Sequence, residues 1–163
     1  WFSWTLALSC NNNQPNKNVA IDRYKMLQIE INSPYACYNE IQMDSAGSGT
    51  SILGFRDSNQ NKSIKKKKGF FINSEDDRIK LQDLINQIVA RGPIASTHGD
   101  DLYHFTFVIN DKKVIDKYGQ DSLLDNALKT LLPYVQIEDV GQCDYFNLFK
   151  RALGNPPKSN FTK

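Results

Sequence analysis

Alternating apolar and polar side chains over residues 103–109 constrain the fold more than any other feature of this chain. The large apolar residues occupy every second position: Tyr103, Phe105, Phe107 and Ile109. A period of two is typical of a β-strand with one buried face. Asn110 and Asp111 then predict a turn, and residues 113–118 a returning strand. The segment therefore predicts an antiparallel hairpin.

Four further strands are predicted before position 73. Leu27, Ile29 and Ile31 alternate with polar residues, and Ile41 and Met43 repeat this pattern. Residues 51–56 and 63–72 are the third and fourth strand segments. Turn-forming residues at 45–49 precede the third segment, and those at 57–61 precede the fourth. The four segments predict a meander of short antiparallel strands.

Two main helices are predicted from their capping signals and apolar spacing. Ser74 is an N-cap candidate with Asp77 three residues later, and Gly92 followed by Pro93 suits the end of this helix. Asp121 or Ser122 caps the second helix, and we expect Pro133 to stop it. We expect a loop over residues 94–101 and a shorter helix over about 144–153. The predicted buried helix positions are Leu81, Leu84, Ile85, Ile88, Leu124, Ala127, Leu128 and Leu131.

This element order, ββββαββα plus a short C-terminal helix, predicts an α+β fold. The simplest packing places both main helices on one face of an antiparallel sheet. A chain of 163 residues has enough length for one domain with a substantial core. We expect that domain over residues 22–154, followed by a loose tail over 155–163. The net charge of +2 gives no field that would favour nucleic acid, so no nucleic-acid partner is predicted.

The first ten residues are mostly apolar and end in Cys10, directly before the asparagine-rich tract of residues 11–18. Residues 6–10 resemble the lipobox of bacterial lipoproteins. Ser9 matches the small residue expected before the cysteine, whereas Ala7 and Leu8 depart from the usual leucine and small residue. The resemblance implies cleavage before Cys10, a diacylglyceryl thioether on its sulfur and an acylated new N-terminus.

This resemblance makes residues 1–9 the remnant of a signal peptide and residues 10–21 a lipid anchor with a flexible linker. It implies a protein of the cell envelope, lipid-anchored to a bacterial membrane, in the outer membrane or facing the periplasm. Two or three acyl chains hold a protein stably on a bilayer. The alternative is a buried N-terminal strand or short helix that happens to carry a cysteine. The element order of the body also resembles small uncharacterised domains of exported lipoproteins, without carrying over functional residues.

The cysteine count fits export. The chain has three cysteines, so a lipid on Cys10 leaves Cys37 and Cys143 as a possible disulfide pair. Such a bridge would close a loop of about a hundred residues, worth up to roughly 4–5 kcal/mol in the chain-entropy model. The alternative is two separate buried thiols.

Two segments are candidate sites. His98, Asp100, Asp101 and His104 offer imidazole and carboxylate groups that can bind zinc or transfer protons, but they match no recognised metal signature. The alternative is a turn leading into a strand, with His104 on its less buried face. The lysine run at residues 65–68 could meet anionic headgroups or phosphate, or could keep an edge strand soluble.

The first functional hypothesis is a lipid-anchored envelope protein that is not an enzyme and acts in binding or scaffolding, with an envelope protein as partner. The alternative is an exported metal-dependent hydrolase that uses the segment from His98 to His104. Neither a cofactor nor a set of catalytic residues is predicted from the motifs.

Overall fold

Seven strands and two helices make up the part of the chain that the computed structural model describes, which is residues 24–34, 36–96, 103–119 and 121–137. The strands are β1 (Met26–Asn32), β2 (Cys37–Asp44), β3 (Ser48–Arg56), β4 (Lys62–Phe71), β5 (Ile94–Ala95), β6 (His104–Ile109) and β7 (Lys112–Tyr118). The helices are α1 (Glu75–Arg91) and α2 (Ser122–Val135). The predicted C-terminal helix, the tail and the N-terminal segment lie outside the described residues.

All seven strands form one sheet in the order β4-β3-β2-β1-β6-β7-β5. The first four strands form the predicted meander, and β6 and β7 form the predicted hairpin. Ile29 in the central strand β1 pairs with Ile41 on one side and with Phe107 on the other. The predicted α+β class and element order are therefore confirmed.

The expected loop over residues 94–101 is corrected at its beginning. Ile94 and Ala95 form β5, which pairs in parallel with Ile115 and Asp116 at the edge of the sheet. Two residues are too few to show the alternation by which the other strands were predicted.

Helix α1 begins as its sequence predicts. The Ser74 hydroxyl oxygen accepts a hydrogen bond from the Asp77 backbone N–H at 3.2 Å. The Asp77 carboxylate accepts another from the Tyr134 hydroxyl at 2.5 Å, which ties α1 to α2. Gly92 follows the helix with a φ of 87°, a backbone angle that L side chains rarely adopt.

Helix α2 is capped by Asp121, whose carboxylate accepts from the backbone N–H groups of Leu123 and Leu124 at 3.1 and 3.0 Å. The expectation that Pro133 stops this helix is wrong, because α2 continues to Val135. Pro133 has no N–H to donate to the carbonyl oxygen of Lys129, so the last turn lacks one hydrogen bond. Lys129 is exposed, and water can donate to this carbonyl oxygen instead. Val135 is only 1% exposed, so burial holds the last turn in place.

The core lies between the two helices and one face of the sheet. All eight predicted helix positions are buried in the same cluster as the inward residues of β1, β2 and β6. These strand residues are Leu27, Ile29, Ile31, Ile41, Met43, Phe105, Phe107 and Ile109. In the described part of the chain, neither helix is long and apolar enough to cross a bilayer.

Candidate functional site

The other face of the sheet is polar, and we call it the polar face. Because strand side chains alternate, the residues between the core positions of β1 point away from both helices. The strand registers bring these side chains next to polar residues of β2, β3, β4, β6 and β7. Its main members are Gln28, Glu30, Asn32, Tyr38, Glu40, Arg56, Lys62, His104, Thr106, Asp116 and Tyr118.

An ion-pair network occupies the centre of the polar face. Lys62 Nζ lies 2.5 Å from Glu30 Oε2 and 2.7 Å from Glu40 Oε2, so one ammonium bridges two carboxylates. Arg56 pairs with Glu30 as well, and its Nε donates to Asn32 Oδ1 at 2.8 Å. The Glu30 and Glu40 side chains are only 12% and 9% exposed. The paired cations therefore compensate these carboxylates for the water contacts that burial removes.

The pKa values in this network follow from that dependence. Burial opposes ionisation of Glu30, but hydrogen bonds from Lys62, Asn32 and Arg56 outweigh it and hold its pKa below the usual value. Burial also opposes the charge on Lys62, yet hydrogen bonds to Glu30 and Glu40 raise its pKa. Glu30 and Lys62 are therefore both charged at neutral pH.

Tyr38 packs beneath the two cations of this network. It is 1% exposed, with the Arg56 guanidinium and the Lys62 ammonium over its ring at 5.7 and 5.0 Å from the centroid. The ring lies across Gly54 of the neighbouring strand. A Cβ atom at Gly54 would stand 2.7 Å from the Tyr38 ring and 2.2 Å from the Ser63 carbonyl oxygen. Glycine is therefore required here for close approach.

His104 anchors a second cluster on the polar face. Its Nε2 lies 2.7 Å from Asp116 Oδ1, and its ring centroid is 4.6 Å from that of Tyr118. Lys113 Nζ donates to the other Asp116 oxygen at 2.8 Å. The hydrogen bond from Lys113, more than that from His104, holds the pKa of Asp116 below its usual value despite partial burial.

A cleft of about 870 Å³ lies where the two clusters meet the β3–β4 turn. Its walls carry the outer ends of the charge clusters together with small polar and backbone groups. Representative lining residues are Asn32, Pro34, Arg56, Ser58, His104 and Tyr118. In the turn itself, the Asp57 carboxylate accepts from the backbone N–H groups of Asn59 and Asn61, both at 2.8 Å, as expected for the turn predicted at residues 57–61.

The predicted metal segment is only partly covered by the structure. His104 faces the cleft and pairs with Asp116, whereas His98, Asp100 and Asp101 lie outside the described residues. Over the described ranges, no group of three or more His, Cys, Asp and Glu side chains is arranged to hold a metal ion. The metal-site hypothesis for the full segment therefore stays a prediction.

The predicted cysteine chemistry is also partly covered. Cys37 is 2% exposed and disulfide-bonded, while Cys10 and Cys143 lie outside the described residues. Cys37 packs in a small apolar cluster that Ile137, just after α2, also contacts. Six residues of chain can span up to about 20 Å, so the chain after Ile137 is long enough for Cys143 to bond with Cys37. The pairing of Cys37 with Cys143 stays a prediction that this contact favours.

The network of Glu30, Glu40, Arg56 and Lys62 is not predicted from the sequence. The signal was present in part, because both glutamates occupy polar positions of predicted strands. Partner strands can place such positions side by side, but only the register shows which cation reaches them.

No protein-family model, curated protein or solved structure matches this chain.

Proposed function

We propose that this protein is a lipid-anchored protein of the bacterial cell envelope that is not an enzyme and binds an envelope protein through the cleft on its polar face. The anchor is Cys10, in the lipobox-like segment of residues 6–10. The folded domain carries the binding surface, and the asparagine-rich tract separates the domain from the bilayer.

The observation that supports the binding role is that the charged side chains beside the cleft are held in place by hydrogen bonds and ion pairs. Arg56 donates to Asn32, to Glu30 and to the Gln60 carbonyl oxygen, so its guanidinium is held in place by neighbours. Asp116 is held in the same way by Lys113 and His104. Side chains that are fixed by mutual pairing present a preorganised polar surface, which lowers the entropic cost of binding a partner. A nucleophile or base would instead need an accessible lone pair with a matched pKa.

The bonded state of Cys37 supports the envelope address. Structural disulfides persist in exported proteins and are rare in a reducing cytosol. Intact-mass analysis of the membrane-extracted protein tests the anchor. We expect an N-terminus at Cys10 carrying acyl chains, and an unmodified thiol with an upstream N-terminus would refute it.

The binding role is tested by filling the cleft. Ser58→Trp places a bulky side chain in the exposed cleft wall, and Ala90→Trp places the same bulk on an exposed position of α1. Each variant is used as bait in an envelope extract beside the unaltered protein. We expect Ser58→Trp to lose a partner that Ala90→Trp retains. Equal recovery with both variants would exclude the cleft as the binding surface.

A further inference from the structure

The edge strand β4 carries the densest charge in the described structure. Five of its ten residues are lysines and none is acidic: Lys62, Lys65, Lys66, Lys67 and Lys68. Since the whole chain has a net charge of +2, the other 153 residues together carry −3. The protein is therefore electrostatically asymmetric, with its positive end at one sheet edge.

The last four of these lysines form a continuous exposed surface, which we call the lysine edge (residues 65–68). All four residues are exposed, whereas Lys62 belongs to the network on the polar face. Lys65 Nζ stands 5.4 Å from the Phe55 ring centroid, and Lys68 Nζ donates to the Gln136 carbonyl oxygen at 3.1 Å. Four strand residues span about 10–13 Å, close to one Debye length, so their charges act together.

Exposed apolar side chains stand at both ends of the lysine edge. Ile64 is 61% exposed and Phe71 is 54% exposed. Lysine ammonium groups flanked by apolar side chains suit the boundary of a bilayer, where headgroups carry the negative charge and the acyl region begins just below.

We propose that the lysine edge docks the folded domain on an anionic bilayer surface. This contact is additional to the lipid on Cys10 and separate from the cleft. It would orient the domain with β4 toward the membrane, beyond what a flexible tether can do.

The geometry of β4 favours a bilayer over an added strand from an acidic protein. The β3–β4 pairing has an irregularity between Leu53 and Gly54, beside the start of the lysine run, and bulges twist an edge away from regular pairing. Lysines along an edge also oppose strand addition. A bilayer requires no register, and flexible lysine stems can reach headgroups from both sides of the strand.

The test uses the 163-residue chain with Cys10→Ser, so that no acyl chain contributes. Partition coefficients are measured by sedimentation with vesicles of phosphatidylcholine alone and of phosphatidylcholine containing about one quarter phosphatidylglycerol. The edge variant replaces Lys65, Lys66, Lys67 and Lys68 with glutamine. A matched control replaces four exposed lysines elsewhere with glutamine: Lys25, Lys80, Lys112 and Lys129. The apolar residues 1–9 are identical in all proteins, so their contribution cancels.

Each lysine that reaches anionic headgroups strengthens partitioning roughly fivefold. We expect the edge variant to bind the anionic vesicles about 30-fold more weakly if two lysines reach them, and several hundredfold more weakly if all four do. The control variant should lose much less of its binding to the anionic vesicles. Binding of the unaltered lysine edge should also weaken strongly at about 0.5 M salt. Replacing the same four lysines with arginine should preserve binding.

Equal losses in the edge and control variants would overturn the proposal, as would equal binding of the starting protein to both kinds of vesicle. If the lysine edge bound an acidic protein instead, the glutamine substitutions would not change vesicle binding. That result would also contradict the proposal. If the melting temperature shows that the quadruple variant is unfolded, Lys67→Gln with Lys68→Gln replaces it. Lys80→Gln with Lys129→Gln is then the control.

Discussion

Replacing Lys62 with methionine removes the ammonium that lies between two carboxylates on the polar face. Glu30 and Glu40 are direct partners across the β1–β2 pairing, and Lys62 Nζ is 2.5 and 2.7 Å from their oxygens. Methionine keeps an apolar stem of similar length over the Tyr38 ring. The substitution therefore removes the charge while largely preserving the packing.

The magnitude follows from the exposure of the three side chains. Removing one partner of a fully buried ion pair costs about 3–5 kcal/mol, whereas a fully exposed pair contributes about 0–1 kcal/mol. The carboxylates are 12% and 9% exposed but the Lys62 side chain is 32% exposed, so water replaces part of the lost interaction. Arg56 still pairs with Glu30, and Gln28 and Gln42 still donate to Glu40, so both carboxylates keep part of their compensation. We expect a loss of about 2 kcal/mol at neutral pH, or roughly 6–10 °C in melting temperature.

This loss should depend on pH in a defined direction. Burial raises the pKa of Glu30, but hydrogen bonds led by that from Lys62 lower it below the usual value. A lowered folded-state pKa stabilises the protein above the unfolded-state pKa, and this stabilisation is lost as pH falls through the folded value. The difference between the two proteins should therefore be largest near pH 7 and shrink below about pH 4.

Urea denaturation at several pH values measures this difference. Lys80→Met is the control, because Lys80 is exposed on α1, and it should change stability by less than about 0.5 kcal/mol. Lys62 does not stabilise the two carboxylates if Lys62→Met costs no more than this control at pH 7, or if its cost grows on acidification.

Two further predictions concern backbone approach and covalent linkage. Gly54→Ala should destabilise the protein by at least about 3 kcal/mol in urea denaturation, because the neighbouring strand has no room for a methyl group. Gly69→Ala, whose Cβ would meet nothing closer than 3.9 Å, should cost less than about 1 kcal/mol. Reductant should lower the free energy of unfolding by about 4–5 kcal/mol if Cys37 pairs with Cys143. Non-reducing peptide mapping should recover those two residues together, and a Cys37–Cys10 peptide would contradict the pairing.

Strands β1 and β6 were predictable because their apolar side chains are buried on one face. The alternation of Leu27, Ile29 and Ile31 reports which face is buried, and so does that of Phe105 and Phe107. The sequence contains no comparable signal for which strands become neighbours when they are far apart along the chain. Ile29 pairs with Phe107 across more than seventy residues, and that pairing depends on the energetics of the whole sheet.

Part of the candidate site was within reach of the sequence. The turn at Asn110 and Asp111 makes β6 and β7 neighbours, but an irregularity between Phe107 and Val108 shifts the register before it reaches the pair of Thr106 and Asp116, next to His104. The contacts of Lys62 were not predictable from a turn, because its side chain reaches from β4 past β3 to Glu40 on β2 and Glu30 on β1. Pro133 does not end α2, because the burial of Val135 outweighs the low helix propensity of proline.

Site-specific photo-cross-linking of the membrane-anchored protein in its own envelope tests directly whether the cleft binds an envelope protein. A photoreactive phenylalanine analogue replaces either Ser58 in the cleft wall or Ala90 on the exposed side of α1. We expect a discrete protein adduct from position 58 and none from position 90. Adducts of equal yield from both positions, or an adduct from position 90 alone, would contradict the proposal that the cleft is the binding surface.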